Sequence, residues 1–184
     1  SGKLGIDKFW SSKFLIGLME LRNDIVPVLG SAPVDYARMY KDEMEQESMR
    51  KASRVNDYVV CAAIDAITEG IRENELASYI NKLYLENGAD CEGPQLVCFG
   101  KNCSDPHHGA DGTMIKKGDS VIFDIFTPIT HYWCDMTRTV FFQEVSKEQE
   151  KIYELVRKAN EAAEASVRPG IKLCELDRIA RSII

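Results

Sequence analysis

The chain has 184 residues, of which 45% are hydrophobic and 28% are charged, a composition typical of globular proteins. Its formal net charge of -6 comes from 23 basic and 29 acidic residues, so no nucleic-acid partner is expected. No apolar run approaches the ~18 residues of a membrane helix, so no membrane partner is expected either. The six cysteines form no C-x-x-C pair, and the N-terminus does not resemble a signal peptide, which favours reduced thiols and a cytoplasmic location.

The first half of the chain is predicted to be mainly helical. Residues 1–36 combine a helical stretch at Phe14–Leu21 with a turn-rich piece, LGSAPVD, and are too short to form a core of their own. Apolar residues then recur with helical spacing, which predicts helices over 42–67 and 73–87. Gly88 is a typical residue for ending the second of these helices.

The second half begins with three strands and returns to helices. Aromatic and β-branched residues predict strands at Gln95–Gly100, Ser120–Phe126 and Tyr132–Phe142. A helix over 147–167 follows a capping-box sequence, and a last helical stretch stops on bare apolar residues, which suggests a truncated domain. No internal repeat is evident. This block order predicts an α+β fold, an antiparallel sheet with the helices packed on one face.

Two aspartates are the strongest candidates for chemistry. Asp124 and Asp135 lie in neighbouring predicted strands within the apolar runs VIFDIF and YWCDMTRT. Carboxylates in such strands need a cation or hydrogen-bond donors, and two that face each other repel unless a metal lies between them. Oxygen ligands suit Mn, Mg, Co or a dinuclear zinc site. The alternative is that each aspartate caps a turn or pairs with a cation such as Arg138.

A histidine-containing loop joins two of the predicted strands. It has the sequence NCSDPHHG, and loops held by a rigid sheet often carry catalytic groups. A histidine there can donate or transfer a proton near neutral pH. The alternative is that both loop histidines are exposed and have no catalytic role.

The order of the motifs is similar to that of a known family. MRKASRVNDYVV is followed by ENELASYI, FGKNCSDPHH, KKGDSVIFDIF and HYWCDMTRTVFF. Over residues 38–184 this order resembles the creatinase, prolidase and aminopeptidase P group of "pita-bread" metallopeptidases. The resemblance implies that residues 1–36 are the tail of an N-terminal creatinase-like domain and its linker. Residues 37–184 would then be the first portion of the catalytic pita-bread domain.

The resemblance also implies a site. Asp124 and Asp135 match two metal ligands of the family, and His107 matches the histidine that donates a hydrogen bond or proton to the substrate amide. Two divalent ions are implied, with Mn expected and Co or Zn as alternatives. The family's other ligands, one His and two Glu, would lie beyond residue 184. Two departures from the family pattern, Phe126 and His131 in place of glycines, fall around the pocket and bear on substrate preference.

The activity implied is hydrolysis of peptide bonds by water activated at a dinuclear metal centre, in an Xaa-Pro dipeptidase or aminopeptidase. A proline-containing di- or oligopeptide is the expected substrate, and a homodimer is expected because many members form one. The 184 residues alone would hold part of the site and would be inactive. The alternatives are a non-catalytic scaffold or binding protein and a metal-free creatinase-like hydrolase on the same fold.

Overall fold

The computed structural model describes residues 2–184 and divides the chain into two compact units, Ser1–Ser48 and Met49–Ile184. The first unit contains two parallel strands, which pair along their whole length from Gly2 with Ile25 to Ile6 with Leu29. A helix connects them, because parallel strands need a crossover. Its elements are β1 Gly2–Ile6, α1 Ser12–Leu21, β2 Ile25–Leu29 and α2 Ser31–Met39.

The sequence prediction for this first unit was incomplete. It included α1 but neither strand, and it treated LGSAPVD as turns where the chain forms the end of β2 and the start of α2. Pro27 lies inside β2, where a proline normally argues against a strand. Pro33 lies in the first turn of α2, where its missing N–H costs no helical hydrogen bond. The buried Ser31 accepts a hydrogen bond from the Lys8 amide at 2.7 Å, which ties the start of α2 to the segment after β1.

The elements of the second unit agree with the predicted order and lie close to the predicted bounds. β4 is the main difference, since it runs three residues further than expected. Within residues 2–184, none of the helices is both long enough and apolar enough to cross a membrane. The elements are α3 Glu43–Asp65, of which residues 43–48 belong to the first unit, α4 Glu73–Glu86, β3 Leu96–Phe99, a 3-10 helix at Gly100–Ser104, β4 Ser120–Ile129, β5 Tyr132–Phe141, α5 Lys147–Ala165 and α6 Leu173–Arg181.

The three strands form an antiparallel sheet in the order β3-β4-β5. Val121, Phe123 and Ile125 alternate along β4 and are fully buried. They belong to one core cluster together with Val59 of α3 and Ile80 of α4. Successive residues of a strand point to opposite faces, so the side chains between these three lie on the other face of the sheet.

Helix α5 differs from the predicted arrangement, in which it shared one face with α3 and α4. The ring of Tyr153 lies 6.0 Å from that of Phe141, and Gln149 Nε2 donates a hydrogen bond to Ser120 Oγ at 3.4 Å. Ser120 and Phe141 are paired across the sheet and belong to the face opposite the core. Helical periodicity shows that α5 is amphipathic, but it does not say which face of the sheet the helix contacts.

The two helix pairs of the second unit share one layout. Gly70 and Gly170 both have φ of 85°, and α4 and α6 begin at residues 73 and 173, so the offset is 100 residues in each case (170 − 70 and 173 − 73). Both glycines follow a long helix and occupy the left-handed region that favours glycine. The structure therefore contains two similarly built helix pairs, and the segments GIRENEL and GIKLCEL at the two turns share the pattern G-I-x-x-x-E-L.

Candidate functional site

Asp124 and Asp135 lie on the same face of the sheet. Asp124 pairs with Thr137 across β4 and β5, and Asp135 pairs with Phe126, two residues away in the ladder, so the two aspartates are diagonal neighbours. Thr137 Oγ1 donates a hydrogen bond to Asp124 Oδ1 at 2.8 Å, which orients that carboxylate. This face is the one that α3 and α4 leave uncovered. The predicted pair therefore comes together as two ligands of one centre would require.

The electrostatics of the pair favour a cation. Partial burial raises the pKa of Asp135, and the neighbouring charge of Asp124 and a hydrogen bond to that group raise it further. Two neighbouring carboxylates repel each other unless a cation lies between them. A divalent ion supplies such a charge and prefers oxygen ligands, so the donor set fits a metal.

Arg138 does not neutralise these aspartates. It pairs with Phe123, which places it on the opposite face of the sheet, and its guanidinium donates a hydrogen bond to the Thr137 carbonyl at 2.8 Å. The ion-pair alternative raised by the sequence therefore does not explain the two carboxyl groups.

A cavity of about 250 Å³ lies beside Asp124. One side is formed by strand residues and the other by the 3-10 helix and the loop that follows it. The walls are mostly apolar, with two aspartates among the lining residues, which suits a small ligand with an apolar group. The lining residues are Leu96, Cys98, Cys103, Ser104, Asp105, Pro106, Ile122, Asp124 and Thr137.

The loop histidines occupy different environments. His107 is exposed, and its backbone amide donates a hydrogen bond to Asp105 Oδ1 at 3.0 Å. It directly follows Asp105 and Pro106, which line the cavity. His108 is mostly buried, and its Nε2 lies 2.9 Å from Glu73 Oε2. The two adjacent histidines therefore have different environments: His107 is exposed, next to residues that line the cavity, and His108 contacts a buried carboxylate.

Glu73 is a functional candidate that sequence reasoning missed. It is fully buried, and its two oxygens accept hydrogen bonds from the Phe99 and Asp111 amides and from the Asn102 and His108 side chains. A glutamate in the first turn of a helix is ordinarily explained by the helix dipole, so nothing in the sequence distinguished this one.

Glu73, His108 and Asp111 also form a group of potential metal ligands, with ligand atoms within 4.8 Å of one another. The four hydrogen bonds already satisfy the Glu73 carboxylate. The group is therefore better explained as a hydrogen-bonded network than as a second metal site.

Comparisons with known proteins agree with this geometry. Residues 47–184 match metallopeptidase family M24, so the chain belongs to that family. It is 38% identical over 148 residues to an Xaa-Pro dipeptidase of Pyrococcus horikoshii, covering 80% of this chain and 42% of that protein. The predicted resemblance to the prolidase group is thereby confirmed.

Solved structures give the same fold. A prolidase from Pyrococcus furiosus superposes with a TM-score of 0.93 at 32% identity, covering 100% of this chain and 55% of that one. An X-Pro aminopeptidase from Thermotoga maritima gives a TM-score of 0.84 at 25% identity, covering 95% of this chain and 50% of that one. The predicted pita-bread class is confirmed, and the chain spans about half the length of the relatives it matches.

Proposed function

We propose that Asp124 and Asp135 are metal ligands of a peptidase that hydrolyses Xaa-Pro bonds. One observation carries the proposal: two carboxyl groups on adjacent strands lie on one face of the sheet as diagonal neighbours, and no hydrogen bond or ion pair described for residues 2–184 joins either of them to a basic side chain. Membership of a metallopeptidase family and the names of the Pyrococcus and Thermotoga relatives support the reaction and the substrate class.

The protein's own groups would hold and orient the ions. Asp124 and Asp135 would hold two divalent ions, and Thr137 would orient the Asp124 carboxylate through its hydrogen bond. Such ions supply the Lewis acidity that activates water and polarises a peptide carbonyl. Mn is the ion we propose, with Co or Zn as alternatives, because carboxylate oxygens predominate in the expected ligand set. The homodimer and the cytoplasmic location stay predictions.

His107 would donate a hydrogen bond or proton to the substrate amide. Its exposure leaves the imidazole free to meet a ligand, and its loop borders the cavity beside Asp124. The apolar walls of that cavity, including Leu96 and Ile122, suit a proline ring or another small apolar group. The substrate would therefore place its peptide bond between the aspartates and the loop.

The test combines calorimetric titration of Mn²⁺ and Co²⁺ with a proline-release assay. Both are run on the complete product of the gene and on the 184-residue chain. We expect the complete product to cleave an Xaa-Pro dipeptide with either ion. The 184-residue chain should bind metal weakly and release no proline, because two carboxylates are only part of a coordination shell.

Three variants of the complete product assign the roles. Asp135→Asn should abolish turnover and weaken metal binding by more than about tenfold. His107→Ala should lower kcat with the metal still bound. Asp57→Asn removes an exposed carboxylate from α3 and is the matched control, which should behave as wild type.

Two outcomes would contradict the proposal. Tight, stoichiometric metal binding by the Asp135→Asn variant would show that the site lies elsewhere. A complete product that is indifferent to metals and to chelators would favour a metal-free hydrolase or a scaffold protein instead.

A further inference from the structure

Glu73 lies outside the proposed ligand set, yet it is bonded to the loop that carries His107. We propose that Glu73 is a positioning residue, whose buried carboxylate holds residues 100–111 in the conformation that places His107 at the rim of the Asp124 cavity. This inference rests on the function proposed above for His107. It adds a residue that neither binds metal nor touches substrate.

The carboxylate holds both ends of the loop. Glu73 Oε1 accepts the Phe99 amide at 2.6 Å, where β3 ends, and Oε2 accepts the Asp111 amide at 3.2 Å, where the loop turns back toward α4. The backbone of α4 contributes on the same side, since the Glu73 amide donates to the Thr113 carbonyl and the Asn74 amide donates to the Asp111 carbonyl. The loop is thus closed onto the first turn of one helix.

The same carboxylate also holds the interior of the loop. Asn102 Nδ2 donates to Glu73 Oε1 at 3.0 Å, and His108 Nε2 lies 2.9 Å from Oε2. A carboxylate only accepts, so His108 Nε2 carries the hydrogen. His107 is the preceding residue in the chain. The contact between His108 and Glu73 therefore anchors the residue that directly follows His107.

Burying a carboxylate costs more free energy than the stabilisation of an ordinary loop requires. Burying a carboxylate costs more free energy than burying a neutral polar group, unless hydrogen bonds replace those it made with water. Here four hydrogen bonds offset that cost, and because they come from positions between Phe99 and Asp111 they also restrict the loop to one conformation. Preorganisation of this kind is what a group that must meet substrate requires.

The first experiment measures amide hydrogen exchange in the protein and in Glu73→Gln, which keeps the size of the side chain but loses its charge and one acceptor. We expect exchange across residues 99–111 to rise by at least about tenfold, with β4 and α3 unchanged. Glu75→Gln is the matched control. It removes an exposed charge from the same helical turn and should leave the loop at wild-type rates. Glu73→Asp keeps the charge and should fall between wild type and Glu73→Gln.

The second experiment asks whether Glu73 acts through His107. In the complete, metal-loaded product, Glu73→Gln should lower kcat roughly tenfold or more with little change in KM or in metal affinity. In a His107→Ala background the same substitution should have no further effect on kcat, because the group that it positions is already gone.

The outcomes separate the alternatives. Equal increases in exchange in the loop and in β4, or unchanged exchange in the loop, would overturn the proposal, since Glu73 would then act on the whole fold or not at all. Additive effects of Glu73→Gln and His107→Ala on kcat would also overturn it. If the complete product has no peptidase activity, the proposed function fails, whereas the exchange data still decide whether Glu73 holds the loop.

Discussion

The side-chain amide of Asn56 donates a hydrogen bond to the Cys134 carbonyl at 2.9 Å, although the two residues are 78 positions apart. It donates a second, longer bond to the Ile125 carbonyl at 3.3 Å, and its own oxygen accepts the Tyr84 hydroxyl at 2.6 Å. Asn56 and Tyr84 are fully buried. This polar bridge joins α3 and α4 to the part of β4 and β5 that carries Asp124 and Asp135.

Removing the hydroxyl from this bridge should destabilise the protein. Tyr84→Phe leaves the Asn56 oxygen buried without its donor, so we expect the free energy of unfolding to fall by about 1–3 kcal/mol. Urea denaturation measures the change. Tyr79→Phe is the matched control on the same helix, because Tyr79 is 38% exposed and should show no measurable effect. Equal effects of the two substitutions would show that the bridge contributes nothing specific.

Five of the six thiols should divide into two groups by reactivity. Burial raises the pKa of Cys98 to about 12 and that of Cys103 to about 11, so both stay protonated near neutral pH. Cys61, Cys91 and Cys174 are exposed. With Ellman's reagent at pH 8 we expect three fast thiols, while Cys98 and Cys103 react at the rate of local opening. Rapid labelling of Cys98, read by peptide mass spectrometry, would contradict this.

The same pKa shifts predict a loss of stability at alkaline pH. When folding raises the pKa of a thiol, the thiol loses its proton at a lower pH in the unfolded state than in the native state. Between these two pKa values the unfolded state therefore binds fewer protons than the native state does. The stabilisation is therefore complete below the unfolded thiol pKa of about 8.5 and decreases as the pH rises above it. The urea midpoint should be lower at pH 10 than at pH 7.5, and this difference should be smaller in Cys98→Ala.

The turn between β4 and β5 should gain stability from a glycine. Thr130 and His131 have φ of 52° and 66°, a region that costs about 1–2 kcal/mol for a residue with a Cβ atom. The His131 amide donates to Asp90 Oδ2, a bond that glycine and alanine at this position would keep. We expect His131→Gly to raise the free energy of unfolding by about 1 kcal/mol, measured as a shift in the melting temperature. His131→Ala keeps the strain and is the control, and a gain as large as that of glycine would exclude backbone strain as the cause.

Gly93 should not tolerate a side chain. A Cβ atom there would collide with the Phe126 carbonyl oxygen and with the Thr127 hydroxyl, both in β4. We expect Gly93→Ala to lower the free energy of unfolding by roughly 2 kcal/mol or more, because the strand would have to move. Gly109 has open space at the corresponding position, so Gly109→Ala should fold with nearly wild-type stability in the same denaturation experiment.

Much of the second unit followed from local sequence patterns. The predicted bounds of α4 differ from the observed ones by one residue, and β5 begins where aromatic and β-branched residues indicated. Two aspartates in adjacent strands were predicted to share a face, and the register of β4 with β5 places them there. These features depend on residues near one another in the chain, which is why periodicity and turn chemistry predicted them.

Other features depended on contacts between distant residues. The tertiary structure alone shows that β1 pairs with β2 and which face of the sheet α5 contacts. It alone also shows the hydrogen bonds from Glu73 to a loop some 30 residues away. The sequence by itself determined where most helices and strands form and which carboxylates could meet. Only the tertiary structure decided what surrounds each polar group, because burial and hydrogen-bond partners come from segments that periodicity cannot relate to each other.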